Sequence, residues 1–413
     1  MTILKNSRFK TIHLSFCFID KNEKDAYSYR FLLARILTSY STKYPTKKSL
    51  INAFSNLYGS YVSSKLNVMG QYSMLRFTMS FASPKFIDDL NYEDDIIDLI
   101  KDMLFDRKLF DEQIFNETKR RLIEQIETLP ERKFEYARDM FLTHNFGNHY
   151  IAHPSYGTLE EVEKITVNDL YQYYLEHFLT NDIKIYATGD ISESLQSKID
   201  NLKSFERVTL KERLMIEDFN KSYTHHETKL PMGQSFIFLA YNLNINRLDK
   251  LYIPAILASL MLSGYPDSIL FKEFREELGL AYEVDARFEY DKKYLFIFAG
   301  VNNETRLDSF QALKEIVERY IQNGPSEEML FNAKKALINQ TILAEDYQQS
   351  YIPKLIANEL YQTNSTLEND IENIKRVTVS EVKEVLSMLK LTTSFIVEGE
   401  NESESIWKPY SQI

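Results

Sequence analysis

Hydrophobic and polar positions in the first half of the chain follow two different periods. Apolar residues recur at helical spacings in Tyr29–Leu37, a stretch without glycine or proline. Tyr72–Phe81 instead alternates apolar and polar positions roughly as a half-buried strand does. Ile12–Ile19 and Asp182–Thr188 also have the composition of strands. The pattern therefore predicts a mixture of strands and helices.

Further helices are indicated between these strands. Asp94–Leu104 and Glu112–Thr128 are amphipathic, and Pro130 is expected to stop the second of them. Another helix should begin at Thr166, since the side chain of Thr166 or of Asn168 can accept a free backbone N–H at a helix start. The elements lack the steady alternation of parallel βαβ units, which favours an α+β fold with mostly antiparallel sheet.

Four pairs of segments repeat in the same order in the two halves of the chain. In the first pair, Ile12–Ile19 followed by Tyr29–Leu37 corresponds to Ser235–Tyr241 followed by Tyr252–Leu262. The other three pairs are Phe115–Gln125 with Phe331–Gln340, Ile165–Leu170 with Val377–Val382, and Tyr186–Asp190 with Ile396–Glu400. The offsets fall slowly, from 223 (29 to 252) through 216 (115 to 331) and 212 (165 to 377) to 210 (186 to 396). This order predicts two homologous domains with a few changes in length.

The length of 413 residues agrees with two domains, because single cores stop growing at roughly 250–300 residues. We predict an N-terminal domain over 1–205 and a C-terminal domain over 227–413. A linker over 206–226 is predicted between them, inside the polar stretch Lys203–Thr228.

Composition excludes several classes of protein. The net charge is −11, and basic residues occur only in short clusters, which disfavours a nucleic-acid-binding face. A single cysteine, Cys17, suits a reducing cytosol. The N-terminus lacks the apolar core of a signal peptide, and no apolar run is long enough to span a bilayer. We expect a cytoplasmic protein without a membrane span.

The seven histidines do not form an evident metal motif. His149 and His153 are four residues apart, but a glycine and a proline flank them, so a regular helix there is doubtful. His225 and His226 fall in the predicted linker. There is also no G-x-S-x-G motif or glycine-rich phosphate loop.

Several segments resemble the insulinase/pitrilysin-type zinc peptidases. The beginning of the chain does so through the apolar helix, the turn YPT at Tyr44–Thr46 and the step LYGS at Leu57–Ser60. Tyr156–Asp190 and Ile269–Val284 extend the resemblance over nearly the whole chain. It implies two peptidase-like domains, each a mostly antiparallel sheet packed with helices, arranged as a half-clamshell.

The resemblance also implies that the metal site has been lost. In that family the first helix carries His-x-x-Glu-His, whose imidazoles bind zinc and whose carboxylate is the general base. Here the three positions are Arg30, Leu33 and Ala34, and the third ligand position falls on Asn116 or, after a slip of one residue, on Glu117. One carboxylate alone does not hold zinc. We predict no zinc or other cofactor in this chain, with zinc expected in a partner.

Arg275 and Tyr282 carry the second part of the resemblance. Ile269–Val284 reads ILFKEFREELGLAYEV and is similar to the family's C-terminal signature. Its pattern predicts a helix that ends at Gly279 and a strand with Tyr282 near its start. In two-chain relatives such as mitochondrial processing peptidase, this pair reaches the substrate near the zinc of the other half. Its N–H and O–H groups can orient a carbonyl and stabilise an oxyanion. The alternative is an arginine paired with neighbouring glutamates and a tyrosine in the core.

Together these features indicate a catalytically inactive subunit of a heterodimeric zinc peptidase. It would bind a peptide, lack activity alone, and present Arg275 and Tyr282 to a homologous zinc-bearing subunit. One departure from the mitochondrial non-catalytic subunit is that Leu260–Ile269 contains only Gly264, where that relative has a glycine-rich loop. The alternative function is a non-enzymatic peptide-binding or scaffold protein derived from such a peptidase.

Overall fold

A computed structural model describes residues 1–202, 214 and 216–400. Its strands are β1 (Thr2–Lys5), β2 (Thr11–Lys21), β3 (Tyr61–Met69), β4 (Tyr72–Ala82), β5 (Asp182–Gly189), β6 (Thr224–Pro231), β7 (Ser235–Asn242), β8 (Ala281–Glu289), β9 (Tyr294–Val301) and β10 (Lys390–Glu400). Its α-helices are α1 (Tyr27–Leu37), α2 (Lys47–Asn56), α3 (Tyr92–Leu104), α4 (Glu112–Glu127), α5 (Lys133–Phe146), α6 (Leu159–Lys164), α7 (Val167–Tyr173), α8 (Glu193–Asn201), α9 (Tyr252–Leu262), α10 (Arg306–Asn323), α11 (Glu327–Ala344), α12 (Gln348–Leu360), α13 (Leu367–Arg376) and α14 (Val379–Met388).

The strands form two five-stranded sheets with the same internal order. The first sheet has the order β1-β5-β2-β4-β3 and the second β6-β10-β7-β9-β8. Only β1 with β5 and β6 with β10 pair in parallel, and the other neighbours are antiparallel. The predicted α+β class with two duplicated, mostly antiparallel sheets is confirmed.

Local signals placed the helices close to their observed bounds. The predicted helix Tyr252–Leu262 coincides with α9, and Thr166 caps α7 by accepting the backbone N–H of Asp169. The helix α4 ends at Glu127, three residues before Pro130. Periodicity and capping act over single turns, so they are readable without tertiary information.

Packing divides the chain into two compact units that are not contiguous. Unit 1 contains residues 1–128, the described part of 153–215, and 344–365, and unit 2 contains 129–152, the described part of 216–343, and the described part of 366–413. The units differ from the predicted ranges 1–205 and 227–413 because each includes a helix from the other half. Unit 1 contains α12, and unit 2 contains α5.

The helix α5 covers one face of the unit 2 sheet. Its residues Ala137, Phe141 and Phe146 share a buried cluster with aromatic residues of the central strands. The ring centroids of Phe141 and Phe238 are 5.3 Å apart in a stacked arrangement. Burial of several aromatic side chains accounts for the attachment of this helix to unit 2.

Part of the predicted linker 206–226 lies outside the described residues, since 203–213 and 215 are not described. The strand β6 begins at Thr224. His225 and His226 therefore lie on a strand and not in a linker, which corrects the prediction. Their exposure alternates along β6, which is the pattern of an edge strand with one covered face.

Within the described residues, no helix combines the length and the apolar character that crossing a bilayer requires.

Candidate functional site

The helix α1, which carries the three predicted metal positions, lies in the core of unit 1. Arg30 is buried, with only 2% of its surface exposed. Its guanidinium donates to the backbone carbonyl oxygens of Phe18 at 2.7 Å and of Ser73 at 3.1 Å. It also donates to Asn181 Oδ1 at 3.2 Å and lies 3.6 Å from Asp20 Oδ2. Arg30 therefore joins α1 to the ends of two strands through charge-assisted hydrogen bonds.

Leu33 and Ala34 belong to the hydrophobic core of unit 1. Leu33 is fully buried and Ala34 nearly so. The carbonyl oxygen of Ala34 accepts a hydrogen bond from Ser64 Oγ on β3 at 2.9 Å. These two positions contribute packing, and neither carries a group that could bind a metal or activate a water molecule.

The positions predicted for the third ligand differ from the α1 positions in burial. Asn116 and Glu117 are both exposed on α4, and Glu117 forms an ion pair with Arg121 one turn later. In the described part of the chain, no three His, Cys, Asp or Glu side chains come together in a way that could hold a metal ion. Two of the five predicted positions thus lie at the surface, and three lie in the core.

The histidines have local partners of their own. His153 Nε2 and Glu161 Oε1 are 3.1 Å apart, and Glu161 Oε2 accepts a hydrogen bond from Ser28 Oγ at 3.1 Å. The His144 and His226 rings stack with centroids 4.0 Å apart. Burial, helped by His226 and Lys221, lowers the pKa of His144 to about 4. A neutral His144 at pH 7 suits its stacking on the His226 ring.

The Arg275 region folds as its sequence predicts. Leu270–Glu277 is a π-helical segment whose residues Leu270 and Phe274 are buried. Gly279 follows with φ +62°, a backbone conformation that favours glycine at a helix end. Strand β8 begins two residues later, with Tyr282 as its second residue.

Arg275 and Tyr282 are both surface residues of unit 2. The Arg275 side chain is 40% exposed, lies over the Phe271 ring at 4.6 Å, and is 3.8 Å from Glu276 Oε1. Tyr282 is 63% exposed, which excludes the core-aromatic alternative. No hydrogen bond joins its hydroxyl to any described residue. Both donors are therefore accessible to a molecule that approaches this surface.

A polar pocket in unit 1 was not predicted from the sequence. Its main signal was present in the alternation of polar residues along two strands, with His13 and Ser15 on β2 and Arg76, Thr78 and Ser80 on β4. Such alternation predicts that one sheet face is polar. The alternation does not predict a pocket on this face, because the helix α12 that helps to line it comes from the other half of the chain.

Comparison with known proteins agrees with the resemblance found in the sequence. Residues 164–337 match the family model of the peptidase M16 inactive domain. The chain is similar to the "Probable inactive metalloprotease YmfF" of Bacillus subtilis, with 25% identity over 96% of this chain and 95% of that protein.

Two solved structures have the same fold. A conserved protein from Enterococcus faecalis matches with a TM-score of 0.88 and 24% identity, over 97% of this chain and 96% of that one. A peptidase M16 inactive domain from Pseudomonas fluorescens matches with a TM-score of 0.79 and 17% identity, over 98% of this chain and 96% of that one. The two-sheet α+β architecture is therefore that of M16-like proteins.

Proposed function

From the premise that this chain is an inactive homologue of the M16 peptidases, we propose that it is the non-catalytic subunit of a heterodimeric zinc peptidase. It binds a peptide and presents Arg275 and Tyr282 to the zinc site of a homologous partner. The chain itself holds no zinc in this proposal and does not hydrolyse peptides alone. Its single cysteine suits action in the cytoplasm.

The surface position of Arg275 and Tyr282 is the observation that carries the proposal. Both side chains end in hydrogen-bond donors, and both are accessible. A guanidinium and a phenol can orient a peptide carbonyl, and they can stabilise the negative oxygen of a tetrahedral intermediate. The partner supplies the metal and the activated water in this scheme, and this chain supplies donors.

The state of α1 gives a second line of support. The terminal nitrogens of Arg30 donate to two backbone carbonyls, and Leu33 and Ala34 are packed in the core. A helix arranged in this way has a structural role, and in this proposal hydrolysis comes from another polypeptide.

The strand that carries Tyr282 also suits peptide binding. Strand β8 is at the edge of the unit 2 sheet and pairs only with β9 among the described strands. An extended peptide can add to such an edge through main-chain hydrogen bonds. A peptide bound in this way would pass beside Tyr282.

The proposal is tested by reconstituting this chain with a homologue that retains His-x-x-Glu-His. Metal content and cleavage of a peptide library are measured for each chain alone and for the pair. We expect zinc in the homologue and cleavage by the pair that exceeds the homologue alone. Arg275→Ala should lower turnover by the pair about 10- to 1,000-fold, the range for loss of an oxyanion donor.

Lys272→Ala is the matched control, since Lys272 is an exposed cation on the same helical segment. Its turnover should stay close to that of the unmodified pair. Stoichiometric zinc with peptidase activity in this chain alone would refute the proposal. Pair activity that is indifferent to both Arg275→Ala and Tyr282→Phe would instead favour a scaffold role.

A further inference from the structure

Unit 1 contains a pocket on the polar face of its sheet. The pocket has a cavity of about 110 Å³. The side chains that line it come from β2, β3, β4 and the first turn of α12, and they are His13, Ser15, Tyr61, Ser63, Arg76, Thr78, Ser80, Gln349 and Ile352. All of these residues belong to unit 1.

The described lining is rich in hydrogen-bond donors and contains no carboxylate. It includes one guanidinium, one imidazole, one amide and several hydroxyl groups. Some of these groups are already oriented, since Ser15 Oγ and Thr78 Oγ1 are 2.7 Å apart, and His13 Nδ1 and Ser80 Oγ are 3.3 Å apart. A cavity with this composition favours a negatively charged ligand.

Arg76 is the charged group of the pocket, and it is partly buried. No hydrogen bond or ion pair joins its guanidinium to any other residue that the structure describes. By contrast, the nearby Lys184 is paired with Glu359 of α12 at 3.2 Å. A guanidinium with no hydrogen-bond partner among the described residues is costly in a partly enclosed cavity unless a ligand or solvent satisfies its five N–H groups.

The start of α12 forms part of the pocket wall. Gln349 and Ile352, among the first five residues of this 13-residue helix, line the pocket. Gln348 anchors that end, because its Nε2 donates to the carbonyl oxygens of Thr11 at 2.8 Å and of Thr188 at 2.9 Å. These two hydrogen bonds fix the amide of Gln349 close to the strands that carry the other lining residues.

We propose that this pocket binds a small oxyanion, either the carboxylate at the C-terminus of a peptide or free inorganic phosphate. A planar or tetrahedral oxyanion can take two parallel N–H donors from Arg76 and further bonds from the surrounding hydroxyl groups. The cavity of about 110 Å³ has room for such an ion, since a single water molecule needs only roughly 10–15 Å³ on the same scale. The proposal does not rest on the peptidase-subunit function, because the site lies within one unit of this chain.

The test is calorimetric titration of the isolated full-length chain. One arm uses inorganic phosphate, and the other compares a short peptide with a free C-terminus against the same peptide with an amidated C-terminus. Binding of the free-acid peptide at least about tenfold tighter than the amide assigns the site to a peptide terminus. Binding of phosphate with no preference between the peptides assigns it to free phosphate. Either result supports the oxyanion site.

Two variants locate the binding in the pocket. Arg76→Gln should weaken it about 10- to 100-fold, the range for loss of a charge-assisted contact. Tyr61→Phe removes only one exposed hydroxyl and should weaken it about two- to tenfold. The control is Arg287→Gln on β8, an exposed arginine of the other sheet, which should bind as the unmodified chain does.

Circular dichroism of each variant shows that it is folded. The proposal is overturned if millimolar phosphate and the free-acid peptide both fail to bind, or if Arg76→Gln binds like the unmodified chain. An equal loss in Arg287→Gln would also overturn it. None of these outcomes depends on a zinc-bearing partner, so they are distinguishable from failure of the proposed function.

Discussion

The two sheets have the same strand order, but one face of each differs in chemistry. It is the face that packs against the helix from the other half of the chain, which is α12 in unit 1 and α5 in unit 2. In unit 1 that face presents His13, Ser15 and Cys17 from β2, and it includes the polar pocket. In unit 2 the corresponding face presents Phe236 and Phe238 from β7, packed under α5. Side chains alternate across a strand, so each face can change its chemistry without disturbing the other.

The two units share their apolar cores but differ in where their polar and aromatic groups lie. The opposite faces of both sheets form apolar cores with the main set of helices, and they maintain the duplicated fold. Unit 1 buries the Arg30 side chain of α1 in its core and has Arg76 in the wall of its pocket. Unit 2 keeps Arg275 and Tyr282 at the surface and fills its second face with aromatic rings.

The largest expected effect is from Arg30→Ala. This change leaves the carbonyl oxygens of Phe18 and Ser73 without their buried donor and opens a cavity. We expect the free energy of unfolding to fall by about 3–5 kcal/mol, measured by urea denaturation. Hydrogen exchange should place the loss in the strands of unit 1.

Arg8→Ala is the control for that change. Arg8 forms an exposed ion pair with Asp346 at 3.2 Å in the same unit, and its loss should cost no more than about 1 kcal/mol. Equal costs for the two arginines would contradict the view that enclosed polar groups maintain unit 1.

Phe238→Ala tests the aromatic face of unit 2. The Phe238 ring is fully buried between α5 and the strands, and its neighbours are rings that can move partly into the gap. We expect a loss of about 3–4 kcal/mol in the free energy of unfolding. Hydrogen exchange should increase in β7, β9 and α5, and the strands of unit 1 should keep their protection.

A smaller effect is expected from the hydroxyl pair on the polar face of unit 1. Thr78→Val removes the partner of the buried Ser15 hydroxyl and should cost about 1–2 kcal/mol. The double variant Ser15→Ala with Thr78→Val removes both groups and should be closer to neutral. A double variant that costs the sum of the single changes would show that the two hydroxyl groups are not coupled.

The smallest effect concerns pH. The folded pKa of His144 is about 4, below the ordinary value of 6.5, so the unfolded chain takes up this proton first as the pH falls. The contribution of neutral His144 to the free energy of unfolding is intact above pH 6.5 and is lost progressively as the pH falls toward 4. The ring is partly exposed, so the loss should be only about 1 kcal/mol.

His144→Phe is the variant that isolates this effect. It keeps a ring beside His226 and removes the titrating group, so unit 2 should lose this part of its acid sensitivity. Burial also lowers the pKa of His13 in unit 1, and that dependence should persist in the variant. An unchanged acid response in unit 2 would assign the effect to other groups.

Much of the fold was predictable because its signals are local. The helix Tyr252–Leu262 and the cap at Thr166 follow from residues within a few turns of one another. The Gly279 helix end and the start of β8 were predictable for the same reason. The exchange of α5 and α12 was not predictable in this way, because an amphipathic pattern shows that a helix has an apolar face but not which sheet covers it.

The same distinction between local signals and contacts of distant segments applies to the candidate sites. Residue identities alone establish that Arg30, Leu33 and Ala34 cannot bind zinc, since a guanidinium and two aliphatic groups cannot replace imidazole and carboxylate. Packing between remote segments determines that Arg30 is a buried donor to two strands, and that Arg76 faces a pocket that α12 helps to line. The physical reason is that periodicity and side-chain chemistry are properties of a short stretch, whereas burial and pairing depend on which distant stretches come into contact.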